Sequence, residues 1–320
     1  MTEMIDCIVC GTCVADILVR PVPLSTPVGG GRLFHVEPIE ATTGGIVCNS
    51  GIAMQRLGMR VAAASLVGAD AWGDLVRSRL TAEGVDCTAI ESHPDRATST
   101  TAVLIDPSGE RSFAHHVGAP QAIDLAFIRR LMPHWTRSRV ALVGYFGLLP
   151  GLEPAMGEAL ATIRAAGCLV ALETGGSGGA LEQLIPALPH VDVYVPSLDE
   201  AIHQTGLHDP REIVASYRSH GAAGIVGVKL GSRGTLLSPA AGEFFDIPCV
   251  PAPGPVADTT GAGDSFLGGL LTGIIRGMPL REAGILGAST AACCVTGLGA
   301  IAGLRSFDET LALARGHIHG

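Results

Sequence analysis

The residues best suited to chemistry lie in one short stretch, residues 258–266, which reads Asp-Thr-Thr-Gly-Ala-Gly-Asp-Ser-Phe. Prolines and glycines precede it and apolar residues recur at helical spacing after it, so the pattern predicts a helix that begins near Gly261. The first turn of a helix carries unpaired N–H groups and the positive end of the helix dipole, and small residues let an anion approach them. The stretch therefore predicts a phosphate site with the carboxylate of Asp264 beside it.

An isolated aspartate at such a position usually does no more than stabilise the start of the helix. The whole stretch, however, resembles the C-terminal signature of the ribokinase-like carbohydrate kinases, the phosphofructokinase-B (PfkB) family. The resemblance implies that Asp264 is the catalytic base. It also implies that the backbone of Gly261, Ala262 and Gly263 forms an anion hole for the phosphoryl group in transfer.

A second glycine motif, Gly-Gly-Ile-Val-Cys-Asn at residues 44–49, leads into a segment whose pattern predicts a helix ending at Gly58. Read alone, the motif is equally consistent with a plain helix start. It resembles the N-terminal signature of the same family, G-G-x-x-x-N. The resemblance implies that Gly44, Gly45 and Asn49 bind the substrate.

The first predicted strand, residues 5–10, is followed by Asp16 at the edge where open α/β sheets bind ligands. The family carries an aspartate at this offset, and the resemblance implies that Asp16 binds substrate hydroxyls. Cys7, Cys10 and Cys13 have a spacing similar to part of an iron–sulfur ligand set. Because residues three apart on a strand point to opposite faces, we expect these thiols to pack in the core instead.

The nucleotide side is indicated by residues 228–234, Val-Lys-Leu-Gly-Ser-Arg-Gly, which resemble the family loop that runs under the nucleotide. The resemblance implies that ATP is the phosphoryl donor and that Lys229, Gly231, Gly234 and Thr260 lie beside it. For Lys229, a solvated strand end is an equally open interpretation.

Two metal ions are implied by the resemblance. Residues 195–200 match the family element N-x-x-E, with Ser197 in place of the asparagine, and imply that Glu200 holds Mg²⁺ through water. Relatives also hold K⁺ with main-chain carbonyls and with the first Asp and Thr of the C-terminal signature, which here are Asp258 and Thr260. A further departure is at residues 144–147, Gly-Tyr-Phe-Gly, near the place where ribokinases proper have a sugar-binding glutamate. Without a carboxylate there, the resemblance gives less support to ribose as the substrate.

The fold predicted by the alternation of apolar strand runs with helical stretches is α/β, a doubly wound and mainly parallel sheet flanked by helices. Two segments break the pattern, at about residues 17–43 and 98–118, and the second contains a hairpin turn, Asp-Pro-Ser-Gly. The resemblance implies a ribokinase-like domain over residues 1–320 in which these segments form a small β-sheet lid. Neither a Rossmann nor a Walker phosphate loop occurs in the sequence.

Composition narrows the possible partners. The formal net charge is −9 and no run of Lys or Arg occurs, so we expect no nucleic acid and no anionic membrane as partner. Nine cysteines with no secretion signal indicate reduced thiols, and we expect a cytoplasmic protein. We also expect a homodimer.

The function implied by the resemblance is transfer of the γ-phosphoryl group of ATP to a hydroxyl of a small sugar or sugar derivative. A nucleoside kinase uses the same catalytic parts, and a non-catalytic sugar-binding regulator could keep the same fold. Because a nucleoside base needs an apolar or aromatic slot and only 4% of the residues are aromatic, the composition favours a sugar.

Overall fold

Two β-sheets organise the chain, one of nine strands and one of four, in a computed structural model that describes residues 4–25, 31–176 and 178–318. The strands in these residues are β1 (Ile5–Gly11), β2 (Val14–Val19), β3 (Glu40–Gly44), β4 (Val61–Gly68), β5 (Asp86–His93), β6 (Ser99–Ile105), β7 (Arg111–His116), β8 (Ser138–Gly144), β9 (Leu169–Leu172), β10 (Val193–Tyr194), β11 (Ile225–Lys229), β12 (Thr235–Ser238) and β13 (Phe245–Ile247).

Helices connect and cover the strands. They are α1 (Gly45–Arg56), α2 (Ala71–Ala82), α3 (Leu125–Arg130), α4 (Met132–Trp135), α5 (Met156–Ala165), α6 (Leu181–Leu184), α7 (Leu198–Thr205), α8 (Pro210–Ser219), α9 (Ala262–Ile275), α10 (Leu280–Cys294) and α11 (Phe307–Ile318). Within the described part of the chain, no helix combines the length and the apolar character needed to cross a membrane.

The large sheet has the strand order β13-β12-β11-β10-β9-β8-β1-β4-β5, and all its pairs are parallel except the two that involve β12. Its central strands are buried along almost their whole length, as in β4, because helices cover both faces. Cys7 and Cys10 of β1 accordingly lie in two different hydrophobic cores. The predicted doubly wound, mainly parallel sheet is confirmed.

The small sheet has the order β3-β2-β6-β7. Strand β6 alternates between buried and partly exposed residues, as expected for a sheet with only one covered face. It pairs with β7 across the predicted hairpin turn. Strand β2 already begins at Val14, ahead of the first predicted segment, and residues 26–30 of that segment lie outside the described residues.

Helix α9 is held in place by close contact with α10. A Cβ atom added to Gly269 would lie 2.4 Å from Thr290 Oγ1, and one added to Gly273 would lie 2.6 Å from Ala283 Cβ. The two helices therefore approach each other more closely than larger residues would permit. This contact fixes the axis of the helix whose first turn carries Asp264.

We predict that Gly273→Ala destabilises the protein by about 1–3 kcal/mol, because the new methyl group overlaps Ala283 in an interface with no room to expand. Gly316 is the matched control, since it lies in α11 and a Cβ there meets no atom within 4 Å. Gly316→Ala should stabilise the helix by roughly 0.5–1 kcal/mol. Denaturant unfolding of both variants measures the difference, and equal stability changes would contradict the close packing.

Candidate active site

The first turn of α9 begins where the sequence predicts. Gly261 is the N-cap residue with φ of 76°, a conformation that favours glycine, and a Cβ atom there would lie 2.4 Å from Ala300 Cβ. The N–H groups of this first turn have no carbonyl partner within the helix. Asp264 lies in the same turn and is only 6% exposed.

The Asp264 carboxylate is held by two side chains from other elements. Asn49 Nδ2 of α1 donates to Asp264 Oδ2 over 2.8 Å, and the Tyr145 hydroxyl, which follows β8, donates to the same oxygen over 2.5 Å. The Ser50 hydroxyl donates to the Asp264 main-chain carbonyl over 2.9 Å. Consecutive residues of α1 thus fix both the backbone and the carboxylate of Asp264.

Burial raises the pKa of Asp264 above the usual aspartate range, while the hydrogen bonds from Tyr145 and Asn49 and the nearby Lys229 ammonium act in the opposite direction. The pKa of Tyr145 is raised by burial and by the Asp264 charge, so its hydroxyl stays protonated and remains a donor. The ring of Tyr145 lies against Gly175, where a Cβ atom would come within 2.4 Å of it.

A buried ion pair lies beside the predicted anion hole. Lys229 Nζ is 3.1 and 3.0 Å from the two carboxylate oxygens of Glu173, the residue that follows β9, and it lies 3.3 Å from the place of a Cβ atom on Gly263. Burial lowers the pKa of Lys229, but the carboxylates of Glu173, Glu200 and Asp264 outweigh burial and raise it. Lys229 is therefore a buried cation next to the start of α9, and the solvated strand end is wrong.

Gly231 and Gly234 lie in the turn between the antiparallel strands β11 and β12, with φ of 61° and 89°. A Cβ atom on Gly231 would meet nothing within 4 Å, whereas one on Gly234 would lie 2.1 Å from the Ile247 carbonyl. The turn geometry and the close Ile247 carbonyl account for Gly234 without a nucleotide, and Gly231 lies exposed at the turn.

Glu200 and Ser197 form a capping box at the start of α7. Glu200 Oε2 accepts from the Ser197 main-chain N–H over 2.7 Å and from its hydroxyl over 2.8 Å, and the Ser197 hydroxyl accepts from the Glu200 N–H over 3.3 Å. Ser197 therefore orients Glu200, and its hydroxyl is not free for the magnesium water shell that the family pattern implies. The other oxygen, Oε1, accepts no hydrogen bond from any residue that the structure describes.

A cavity of about 180 Å³ lies between the small sheet, α1 and the segments that contain Asp258 and Gly299. One row of polar side chains crosses the sheet at its inner end, since Asp16 pairs with Thr42 on one side and Thr101 on the other, and Thr101 pairs with His115. The Thr101 hydroxyl is 3.0 Å from His115 Nδ1. Burial raises the pKa of Asp16 to about 6, although the Thr101 hydroxyl acts to lower it.

The glycine motif lies directly beneath this polar row. A Cβ atom on Gly44 would lie 2.1 Å from Asp16 Oδ2, and one on Gly45, whose φ is 80°, would lie 2.5 Å from the Thr12 carbonyl. Thr12 Oγ1 and Asn49 Oδ1 also line the cavity region, and both are buried without a hydrogen-bond partner. Buried polar atoms are nearly always paired, so these two atoms point to a polar ligand.

The next row of the small sheet is apolar. Leu18 pairs with Val103, which pairs with Phe113, and all three side chains line the cavity. Leu148, which follows β8 of the large sheet, lines the same cavity. The cavity thus has a polar half next to Asp264 and an apolar half further along the sheet.

Asp258 and Thr260, the residues expected to hold potassium, contact an arginine instead. Arg111 Nη1 of β7 lies 2.6 Å from Asp258 Oδ1 and also donates to the Thr260 hydroxyl. The N–H of Thr260 donates to Asp258 Oδ1 over 2.6 Å, and that of Gly299 donates to Asp258 Oδ2 over 2.7 Å. Both carboxylate oxygens are occupied, which departs from the potassium site that the resemblance implies.

Of the predicted residues, Asp16, Gly45, Asn49, Asp258 and Thr260 line the cavity. Gly44 lies against Asp16, and Asp264, which follows Gly261, Ala262 and Gly263 in the first turn of α9, contacts the lining residues Asn49 and Tyr145. Lys229 lies beside Gly263, and Glu200 lies in the first turn of α7. Sequence reasoning missed Tyr145, Glu173 and Arg111. Glu173 carried a signal, since it is an acidic residue between a buried strand and a pair of glycines. Tyr145 and Arg111 carried none, because their partners Asp264 and Asp258 lie far away along the chain.

Comparison with known proteins places the chain among carbohydrate kinases. The family model for pfkB family carbohydrate kinases matches residues 4–306. Ribokinase from Haemophilus influenzae is 28% identical over 286 residues, which cover 88% of this chain and 90% of that protein.

Two solved structures share the fold. That of Arabidopsis thaliana ribokinase complexed with ribose and ATP superposes with a TM-score of 0.84 at 23% identity and covers 98% of this chain and 99% of that one. That of a putative ribokinase II from E. coli in complex with ATP and Mg²⁺ has a TM-score of 0.82 at 21% identity and covers 98% and 100%.

A doubly wound sheet, a small second sheet and a glycine-started helix that carries a carboxylate define a phosphotransferase with an alcohol group as acceptor. The chain belongs to the PfkB family of carbohydrate kinases. The resemblance drawn from the two glycine signatures is thereby confirmed.

We predict that Tyr145→Phe moves the acidic limb of the rate–pH profile to higher pH. The hydroxyl lowers the pKa of Asp264, so its loss lets burial raise that pKa further. A carboxylate that must be ionised to act loses activity as the pH falls through its pKa, and in the variant this loss begins at a higher pH.

Tyr194→Phe is the matched control, because Tyr194 is also a buried tyrosine but its hydroxyl donates to Gln204 Oε1 over 2.8 Å. The control should leave the acidic limb in place. An acidic limb that is the same in wild type and in Tyr145→Phe would show that the phenol does not act on Asp264.

Proposed function

We propose that this protein transfers the γ-phosphoryl group of ATP to a hydroxyl of a small sugar or sugar derivative. One observation carries the proposal: a buried carboxylate, Asp264, is held by Asn49 and Tyr145, which line a polar cavity, at a helix N-terminus whose first N–H groups have no carbonyl partner within the helix. A proton acceptor and an anion site are therefore adjacent.

On the donor side, the first-turn amides of Gly261, Ala262 and Gly263 stabilise negative charge on the transferring group, since they are fixed before the reaction begins. The Lys229 ammonium next to Gly263 adds a positive charge to the same region. Both ribokinases compared above were solved with ATP, which supports ATP as the donor. Gly231 and Thr260 lie on the path that we assign to the nucleotide.

On the acceptor side, Asp264 takes the proton of the attacking hydroxyl as the oxygen–phosphorus bond forms. Its Oδ2 is occupied by Asn49 and Tyr145, so we assign the substrate hydroxyl to Oδ1. Asp16 accepts hydrogen bonds from other hydroxyls, and the unpaired Asn49 Oδ1 accepts one more. Gly44 and Gly45 leave the space in which these groups meet the substrate.

Magnesium fits the residues present. Mg²⁺ keeps several waters and takes few protein carboxylates, and Glu200 offers one oriented oxygen, Oε1, while the capping box holds the other. When bound with ATP, the ion neutralises charge on the phosphate oxygens. Glu173 is not assigned to the ion, because Lys229 occupies both of its oxygens.

A nucleoside is the second candidate for the acceptor, and the apolar row of Leu18, Val103 and Phe113 favours it. A sugar alone would occupy the polar half of the cavity, whereas a nucleoside would place its base against the apolar half. The low aromatic content argued for a plain sugar, yet the row supplies apolar surface mainly from aliphatic side chains.

Two further assignments concern the cellular location and the oligomeric state of the protein. We assign the chain to the cytoplasm, which agrees with its nine unpaired cysteines, since a reducing compartment keeps thiols free. We also assign it a homodimeric state, for which exposed Leu33 and Ile39 before β3 offer apolar surface. Light scattering of the purified protein tests the dimer.

We predict that Asp264→Asn lowers kcat by roughly 10²–10⁴-fold and leaves nucleotide affinity nearly unchanged, because the amide keeps the shape but cannot accept the proton. The acceptor is first found with a coupled ATP-consumption screen of pentoses, hexoses, sugar acids, sugar phosphates and nucleosides. Calorimetry then measures nucleotide affinity in both proteins.

Asp74→Asn is the control, since Asp74 lies exposed in the first turn of α2 and does not line the cavity. Its rate should equal that of wild type. A rate within about tenfold of wild type for Asp264→Asn would remove the assignment of the base, and a screen with no phosphorylated alcohol would remove the proposed function.

We predict that Val103→Thr discriminates between the two acceptor classes. The substitution is nearly isosteric and places a hydroxyl in the apolar row, so it should raise KM for a nucleoside by roughly 5–30-fold, the effect of about 1–2 kcal/mol for an unpaired hydroxyl. Val19→Thr, on the opposite face of the small sheet, should change neither KM. An unchanged nucleoside KM in Val103→Thr would show that no base contacts this row.

A further inference from the structure

Asp258 joins three separate parts of the chain. Its Oδ1 accepts hydrogen bonds from Arg111 of the small sheet and from the N–H of Thr260, two residues further along the chain. Its Oδ2 accepts a hydrogen bond from the N–H of Gly299, between α10 and α11. The residue is 5% exposed, so its charge has little access to water. A buried carboxylate needs a counter-charge, and Arg111 is the cation that contacts it.

Arg111 reaches this carboxylate from β7, the edge strand of the small sheet. Its side chain is 14% exposed, and the same Nη1 atom contacts both Asp258 and the Thr260 hydroxyl. The small sheet and residues 258–260 therefore share one buried ion pair. A displacement of β7 away from residues 258–260 would break the pair and leave both charges unpaired.

A monovalent metal ion does not fit this arrangement. Such an ion needs several free oxygens, whereas both Asp258 oxygens already accept strong hydrogen bonds and the Thr260 hydroxyl already faces a guanidinium. A metal cation next to the guanidinium would also be repelled by it. The site thus disagrees with the potassium that the family resemblance implies.

We propose that Arg111 is the built-in cation of residues 258–260: it takes the place of a monovalent metal ion at Asp258 and Thr260, and it orders the anion-hole amides when β7 is in contact with these residues. Arg111 is a positioning residue, since it acts on the amides through Asp258 and Thr260. The inference rests on the proposed function, because it assigns the Gly261–Gly263 amides to the transferring phosphoryl group.

The experiment compares wild type with Arg111→Ala and Arg111→Lys in potassium-free buffer at constant ionic strength. KCl, guanidinium chloride or tetramethylammonium chloride is then added. Wild type should change by less than about twofold with any salt. Arg111→Ala should lose about 10–100-fold in kcat and in ATP affinity, the usual effect of removing an outer partner of a charged site. K⁺ or guanidinium, but not the bulky tetramethylammonium ion, should restore much of this loss, and Arg111→Lys should retain partial activity without added salt.

Arg20→Ala is the matched control. Arg20 directly follows β2 of the small sheet, but it forms ion pairs with Glu37 and Glu40 at exposed positions. Its kcat and its ATP affinity should respond to the salts as wild type does.

Three outcomes would overturn the proposal: activation of wild type by K⁺ of more than about fivefold, no loss in Arg111→Ala, or a loss that neither cation nor Arg111→Lys reverses. ATP affinity measured by calorimetry tests the cation effect even without turnover. A wild type that binds ATP but phosphorylates no alcohol would therefore remove the proposed function while leaving the test of Arg111 intact. If Arg111→Ala does not fold, Arg111→Lys decides, since its ATP affinity should not respond to K⁺.

Discussion

The structure depends on keeping one carboxylate both buried and ionisable. Burial by itself makes a carboxylate neutral, and a neutral Asp264 cannot accept a proton. Hydrogen bonds from Asn49 and Tyr145 and the field of Lys229 counteract burial. These groups come from α1, from the end of β8 and from the end of β11. All three elements must therefore be correctly placed around Asp264 for its carboxylate to stay ionisable.

The same requirement explains why several glycines cluster around the cavity. Gly44 leaves room for the Asp16 carboxylate, Gly175 leaves room for the Tyr145 ring, and Gly261 lets the helix begin against Ala300. A side chain at any of these positions would displace the neighbouring group that the glycine now accommodates.

Local sequence signals predicted the parts of the site that depend on local geometry. The start of α9 and the glycine turn before α1 follow from spacing and residue type, and so does the parallel sheet. Asp16 was expected at the edge of the large sheet, whereas it lies within β2 of the small sheet. The family resemblance added roles to these residues. The small sheet was also predicted, because alternating residues around a turn distinguish a half-covered sheet from a buried one.

Contacts between distant segments were not predictable in this way. Tyr145 and Arg111 owe their importance to partners that only the folded chain brings near, and neither residue type marks such a partner. The contact of Ser197 could not be read from the sequence, because its spacing to Glu200 fits both the family metal element and a capping box, and only the structure shows the capping box. The burial of Lys229 was also not predictable, since a lone lysine at a strand end is usually solvated.

Lys229 is also the only lysine in the chain, and every other basic side chain that stays charged is an arginine. The guanidinium group resists acylating reagents under conditions in which an amine reacts, so amine-directed labelling of this protein has a single side-chain target. That target is paired with Glu173 and faces the start of α9. The extent of acylation of this side chain therefore reports on one place in the molecule, the Lys229–Glu173 pair beside the start of α9, without any engineered probe.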